Sequence, residues 1–508
     1  MPSHGDGQDF IVVGAGTAGC VIASRLSEDD GARVLLLEAG SAQPLPAMAT
    51  PPDWPTLLHS PASWGDFTVE QVATGTALPL PRGRALGGSS AINGMIFGRG
   101  HRSSYDAWVS AGAKGWGFSD LLPYFKRSED AKGRDPALRG VGGPLIVGPA
   151  TSPNPVIAAC LDAAVETGYR RATDVSGGLE EGFGWTDLNI VNGRRQSAAD
   201  AYLTPALDRP NLDVVTDALV HRVRIENGQC IGVEYRTGGQ LLSVECSGEV
   251  VLTAGTIGSA QLLMLSGVGP QAHLRQVGID VVLDVPGVGA NLQDHPWGHV
   301  VYSSSDPLPV GQNNHGEALG LLRSDPALDS PDLQILFGDV AGISLSGVSP
   351  EQGYCILVAV MRPRSRGTLR LSGAEAGTSP LLDPKYFGDD HDLTTMVAGL
   401  RLAREIGRAS ALDPWHGQEV APGPDVDGNA DLRAFACRTL TSYMHPVGTC
   451  RIGADDMAVV DTDLRVRGIG GLRVADGSVL PSIPSANTNA TVYAIAERAA
   501  ELIRSKRR

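Results

Sequence analysis

Residues 9–40, DFIVVGAGTAGCVIASRLSEDDGARVLLLEAG, restrict what this chain can fold into more than any other stretch. Residues 10–13 are a short apolar run of the kind that forms a buried parallel strand. Gly14, Gly16 and Gly19 follow at once as G-x-G-x-x-G. Residues 18–26 have helical spacing, and 34–37 form a second apolar run ending at Glu38 and Ala39. Each glycine has its own physical reason. Gly14 permits the tight turn, Gly16 lets backbone approach a pyrophosphate, and Gly19 lets the helix sit close to the strand. The helix start at Thr17 and Ala18 offers free N–H groups and a positive dipole end to phosphate oxygens. Glu38 stands 19 residues after Gly19, where an acid accepts hydrogen bonds from an adenosine ribose. A glycine triplet alone is a weak signal, but the complete strand–turn–helix–strand–acid unit specifies a bound dinucleotide.

One such unit occupies a small part of a 508-residue chain, so two or more domains are expected. The chain is 42% apolar and 19% charged, a globular composition. Its net charge of −15 leaves no broad basic surface for phosphates and argues against nucleic-acid binding. The seven cysteines, Cys20, Cys160, Cys230, Cys246, Cys355, Cys437 and Cys450, are scattered and contain no C-x-x-C pair. That pattern suits a reducing cytoplasm and points to neither a disulfide scaffold nor a structural zinc site. The N-terminal MPSHGDGQ has no basic and apolar signal regions, and no stretch is long and apolar enough to span a membrane.

Along the chain, residues 41–82 read as an excursion over the first domain. Strands are expected at 212–216, 220–226, 231–236 and 249–254, with a helix at 259–265. Residues 333–337, 355–361 and 368–371 alternate polar and apolar, which predicts an antiparallel sheet with one covered face. A strand at 472–475 and a helix at 492–503 close the chain, so the dinucleotide domain is expected to be discontinuous.

The first unit suits FAD and NAD equally. Three later segments narrow the choice: RGRALGGSSAINGMIFGRG (82–100), GTIGSAQLLMLSGVG (255–269), and SYMHPVGTCRIG (442–453) followed by GLRVADGSVLPSIPSANTNATVYAIAERAA (471–500). In this order and spacing, the four segments together resemble the glucose-methanol-choline family of FAD-dependent oxidoreductases, in its choline-dehydrogenase-like and alcohol-oxidase-like branch. The resemblance implies an α/β fold. A Rossmann-type FAD domain would take residues 1–150, 211–300 and 451–508. A substrate domain, with a six-stranded antiparallel sheet flanked by helices, would take 151–210 and 301–450. It implies that Gly14, Gly16, Thr17, Ala18, Gly19, Glu38 and Ala39 hold the adenosine-diphosphate end of FAD, with Val220 beside the adenine. Arg84, Gly88, Ser89, Asn93 and Gly94 would line the flavin, and Ala475 and Asp476 would meet the pyrophosphate and ribityl chain. Some relatives attach FAD through a histidine where this chain has Ile92, so non-covalent FAD is implied.

The same resemblance makes His445 the catalytic base and Asn489 its partner, with Asn487 left to serve the turn. The chemistry agrees with a histidine. A hydride leaves an alcohol carbon more easily when the hydroxyl proton is taken at the same time, which needs a base within hydrogen-bond reach. An amide beside it would orient the hydroxyl. Glu317 resembles the cation-binding glutamate of choline-type members and is a substrate candidate. Trp54 and Trp64 border the expected entrance. His295 and His299 show no metal spacing and read as structural. The expected reaction is FAD-dependent oxidation of a CH–OH group, a primary alcohol going to its aldehyde. The substrate would be a polyhydroxylated or cationic amino alcohol, and the electron acceptor oxygen or a quinone or carrier. Two alternatives stand: a hydroxynitrile-lyase-type enzyme of the same fold, and a nicotinamide enzyme.

Overall fold

The computed structural model describes residues 7–304, 306–341, 349, 352–415 and 417–505. The start of the segment read for a targeting signal, residues 1–6, lies outside them.

Two apolar runs separated by a glycine turn and a helix make a right-handed crossover, and the chain builds outward from it. Gln8–Val13 and Val34–Leu37 pair in parallel, and both are almost wholly buried. The sheet runs Leu212–Val215, Val34–Leu37, Gln8–Val13, Gln240–Leu252, Gln229–Thr237, Leu219–Glu226, with Leu472–Val474 added against Gln240–Leu252. The last of these confirms that the C-terminal segment completes the dinucleotide sheet. Gln240–Leu252 is longer than the strand expected at 249–254. Its first half is exposed or partly exposed at every residue and pairs antiparallel with Gln229–Thr237. Its last residues are buried and join the parallel sheet beside Gln8–Val13. One strand thus serves two environments, and only the buried half carries a recognisable apolar pattern.

The second sheet is antiparallel: Glu419–Ala421, Pro296–Ser303, Gly353–Val360, Leu333–Gly338, Ala318–Leu322, Gly182–Trp185. The six-strand path is the one the resemblance implies, and Thr441–Ser442 adds a seventh short strand beside Pro296–Ser303. The expectation of one covered face needs correcting. Ala318–Leu322 and Leu333–Gly338 are buried at every residue. The helix Asp390–Gly407 covers one face, where Gly298 meets Met396 and Gly399 meets Val358 and Leu333. The opposite face looks onto the cavity described below. Thr368–Arg370 lies outside this sheet; it pairs with Leu381–Asp383, and Leu369 donates to the Gly289 carbonyl at 2.6 Å. Sequence ranges do not divide the two cores cleanly either. Leu369, Leu382, Val447 and Cys450 pack in the first core, while Pro296–Ser303 belongs to the second sheet.

Candidate active site

A cavity of about 840 Å³ lies between the two sheets, and most of the sequence candidates line it. At the nucleotide end are Gly14, Gly16, Thr17, Ala18, Glu38, Ala39 and Val220. Gly14 has φ +101, which favours glycine, and a Cβ there would stand 2.8 Å from the Thr253 carbonyl. At Gly16 the nearest atom to a Cβ would be 3.9 Å away, so a side chain would fill the cavity itself. Gly19 does not line the cavity; it lets the helix Thr17–Leu26 approach the turn. No side chain caps that helix, so its first N–H groups are left for a ligand anion. These features fit the pyrophosphate of a dinucleotide.

Glu38 is buried and already engaged. It accepts from the Ala15 N–H (2.8 Å) and the Gly40 N–H (2.7 Å), bracing the glycine turn as well as facing the cavity. Burial raises its carboxyl to about 7 against those two donors. Asp476 also lines the cavity and accepts from Gly255 N, Ser259 Oγ and Ser478 N. Ala475 sits just behind, in the sheet, where its N–H donates to the Leu252 carbonyl.

The loop 82–94 folds over the glycine turn, with Gly87 N donating to the Ala15 carbonyl at 2.8 Å. Arg84, Gly88, Ser89, Asn93 and Gly94 all line the cavity. Trp64 packs against the Arg82 and Arg84 guanidinium groups, 4.3 and 4.9 Å from its ring centre. Trp54 closes the other side, its Nε1 donating to the Asn314 carbonyl at 2.9 Å. Ile92 is buried among Met48, Leu57, Ala85 and Ala91 and offers no nucleophile. FAD should therefore leave with acid: precipitation is expected to release all flavin absorbance into the supernatant, and colour held in the pellet would refute this.

His445 sits in the same cavity on the loop after Thr441–Ser442. Its ring is held at both nitrogens. Nε2 is 3.1 Å from Asn487 Nδ2, and Nδ1 is 3.0 Å from His295 Nδ1. Asn487 Oδ1 accepts from Gln334 Nε2 at 3.4 Å, which leaves the Asn487 amide N–H to face His445. An amide nitrogen only donates, so His445 Nε2 keeps its lone pair and Nδ1 carries the proton toward His295. Burial lowers His445 to about 3 and holds it neutral.

Asp294 fixes this loop. Its carboxylate accepts from the backbone N–H of His445 (2.8 Å) and of His295 (2.9 Å), from Ser442 Oγ (2.5 Å) and from Tyr386 OH. Met444, with φ 64, is held in the left-handed region by its N–H bond to Ser442 Oγ.

The sequence puts Asn489 beside His445, and the folded chain puts Asn487 there instead. The helix Asn489–Arg504 starts three residues before the expected position, so Asn489 is its first residue. Its side chain accepts from Thr17 Oγ1 at 2.8 Å and ties two helix starts together at the cofactor end. Glu317 is also displaced from its expected place. It is fully buried away from the cavity, accepting from Asn154 N and Asn313 Nδ2, both at 2.7 Å. Beside it His315 bridges Asp339 (2.7 Å) and the Pro52 carbonyl (3.1 Å). Asp294 and Gln334 carried no recognised signal, and His295, read from the sequence as structural, meets the His445 ring instead. The adjacent Asp294-His295 pair at the mouth of an apolar strand was the one available hint.

Among the described residues no cluster of three or more His, Cys, Asp or Glu could hold a metal ion. A family model described as GMC oxidoreductase matches residues 8–297, and its C-terminal counterpart matches 363–496. The chain is 38% identical over 530 residues to the oxygen-dependent choline dehydrogenase of Rhizobium rhizogenes, across 98% of this chain and 96% of that one. Pyridoxine 4-oxidase from Mesorbium loti superposes with a TM-score of 0.93 at 35% identity, covering 97% of this chain and 98% of that one. Formate oxidase from Aspergillus oryzae RIB40 does so at 0.91 and 26%, covering 99% of each. None of these relatives supports the hydroxynitrile-lyase alternative, and FAD replaces the nicotinamide one. The cradle, the buried histidine and these matches agree: the chain belongs to the GMC oxidoreductase family, FAD-dependent enzymes acting on CH–OH donors.

Proposed function

We propose that this enzyme oxidises a small primary alcohol to its aldehyde, with His445 Nε2 as the base. The observation that carries the reading is the placement of His445 on the cavity, with Nε2 3.1 Å from Asn487 Nδ2 and Nδ1 3.0 Å from His295 Nδ1. FAD, when bound, supplies the acceptor for the hydride that leaves the carbinol carbon. The protein does the rest. His445 Nε2 takes the hydroxyl proton, so the oxygen lone pair closes the C=O bond as the hydride departs. The Nδ1–H bond to His295 becomes charge-assisted as that proton arrives. The Asn487 Nδ2 hydrogen not directed at His445 holds the hydroxyl oxygen in line.

The choline dehydrogenase relatives support an amino-alcohol substrate, and the name pyridoxine 4-oxidase supports a ring-bearing one. Those same names, an oxygen-dependent dehydrogenase and oxidases, support oxygen as electron acceptor. Among the described residues no helix is long and apolar enough to cross a membrane. The seven unpaired thiols support a reducing cytoplasm.

Anaerobic flavin reduction across a panel of alcohols, followed by admission of oxygen, tests the reaction and its acceptor together. The two asparagines separate in the same assay. Asn487→Ala is expected to slow reduction roughly ten- to hundredfold, the loss of one buried hydrogen bond at the reacting group. Asn489→Ala is expected to loosen FAD and leave the reduction rate of the loaded enzyme unchanged. Equal slowing by both variants would sink the assignment of Asn487.

A further inference from the structure

The half of the cavity beyond His445 has a wall chemistry of its own. Side chains alternate across a strand, so Trp297 and His299 of Pro296–Ser303 share one face. His299 lies opposite Leu357, and Leu357 lies opposite Leu336 on the next strand. Trp297, His299, Leu336, Cys355 and Leu357 all line the cavity, and Trp297 stacks on Tyr443 with centroids 5.0 Å apart and planes 12° from parallel. The wall is therefore flat, aromatic and aliphatic, with one imidazole set into it.

That imidazole is unusual in having nothing to bond. His299 is only 8% exposed, yet neither ring nitrogen has a hydrogen-bond partner among the described residues. Burial lowers its pKa, so it presents one neutral donor and one acceptor to the cavity. The carboxylates at the cavity that could meet a cation are occupied. Among the described residues the lining carboxylates are Glu38, Asp66 and Asp476. Glu38 is bound by two backbone N–H groups, Asp66 by Arg82 at 2.5 Å, and Asp476 by Gly255, Ser259 and Ser478. His315 is paired with Asp339, which holds it above its usual range. A cation brought here would find no free carboxylate among the described residues and would have only the faces of Trp297 and Tyr443 to attract it, while a flat neutral ring would meet matching walls and the unpaired His299.

We propose that the alcohol is borne on a flat, uncharged aromatic ring, and that His299 is a specificity-determining residue that hydrogen-bonds a polar group on that ring, a phenol hydroxyl or a ring nitrogen. The inference rests on the reading that this cavity oxidises alcohols at His445. The reaction is unchanged by it: the carbinol loses its hydroxyl proton to His445 and its hydride, with both electrons, to FAD, leaving the aromatic aldehyde.

The test uses the FAD-loaded enzyme and its His299→Leu and His299→Asn variants. Anaerobic flavin reduction is measured with 3- and 4-hydroxybenzyl alcohol, benzyl alcohol and choline. Calorimetric titration with phenol and with tetramethylammonium reads binding without turnover. In the wild type a hydroxybenzyl alcohol is expected to exceed benzyl alcohol in efficiency roughly ten- to hundredfold, the worth of one buried hydrogen bond, and choline is expected to trail both. His299→Leu should erase that preference, leave benzyl alcohol within about threefold, and weaken phenol binding to the same degree. His299→Asn should retain much of it, which covers a Leu variant that fails to fold. The proposal is overturned if choline is the best substrate, if tetramethylammonium binds more tightly than phenol, or if His299→Leu slows all ring alcohols alike. If no alcohol reduces the flavin, the alcohol-oxidation reading fails, and phenol binding that depends on His299 still decides the role of that residue.

Discussion

Replacing His445 by alanine is expected to slow anaerobic flavin reduction roughly 10²–10⁴-fold while FAD stays bound. Hydride loss from a neutral alcohol would leave a protonated carbonyl, a product of high energy. On the proposed reading His445 Nε2 removes that barrier, its ring being held by Asn487 at Nε2 and by His295 at Nδ1. The loop itself should survive the substitution, since Asp294 binds the backbone N–H at position 445 and not the ring. Flavin absorbance in the purified variant checks that FAD is retained. A near wild-type reduction rate would place the base elsewhere.

The pH profile offers a second reading of the same residue. Burial lowers His445 from 6.5 to about 3, so the base form is present throughout the neutral range. Reduction by a saturating alcohol is expected to show no acid limb near 6.5. The folded-state value lies below the unfolded one, so the neutral ring contributes stability that is complete above 6.5 and is lost as pH falls toward about 3. An acid limb between pH 6 and 7 that disappears in His445→Ala would show that the ring titrates normally.

Gly19→Ala is expected to yield protein with little FAD and a lowered melting temperature. A Cβ at Gly19 would stand 1.8 Å from the Gly14 carbonyl oxygen and 2.9 Å from Thr253 Oγ1. The first neighbour is backbone of the turn itself, and Thr253 Oγ1 donates to that same carbonyl at 2.8 Å. Relief requires the helix to back away from the strand, and overpacking of this kind costs about 1–3 kcal/mol or more. The same movement would withdraw the first-turn N–H groups from the pyrophosphate. Gly16→Ala separates the two effects. Its Cβ has open space within the protein, so the apoprotein should melt as wild type does while FAD binding weakens. Thermal melts of both apoproteins and the flavin-to-protein absorbance ratio of both preparations give the comparison. A Gly19→Ala protein that keeps wild-type melting and full FAD would mean that the helix can shift without loss.

What the sequence determined by itself was local. The nucleotide cradle is built within about thirty residues, and each part announces itself: apolar runs for buried strands, glycines where a Cβ would collide, an acid at the end of the second strand. His445 and the loop at 82–94 are also contiguous segments, but their expected roles came from the family resemblance. The partners of His445 were decided by tertiary structure. His295 meets it across 150 residues because Thr441–Ser442 pairs with Pro296–Ser303. Asn487 takes the place expected of Asn489 because the last helix starts three residues early, which makes Asn489 its first residue and turns that side chain to Thr17. Glu317 turns inward because the Asn154 backbone, 163 residues away, offers it a hydrogen bond. His299 reads as an ordinary strand residue until the sheet and FAD cradle enclose it. Hydrogen bonds within a segment leave a pattern in its residues. Bonds between distant segments depend on strand register and helix ends, which only the packed chain sets.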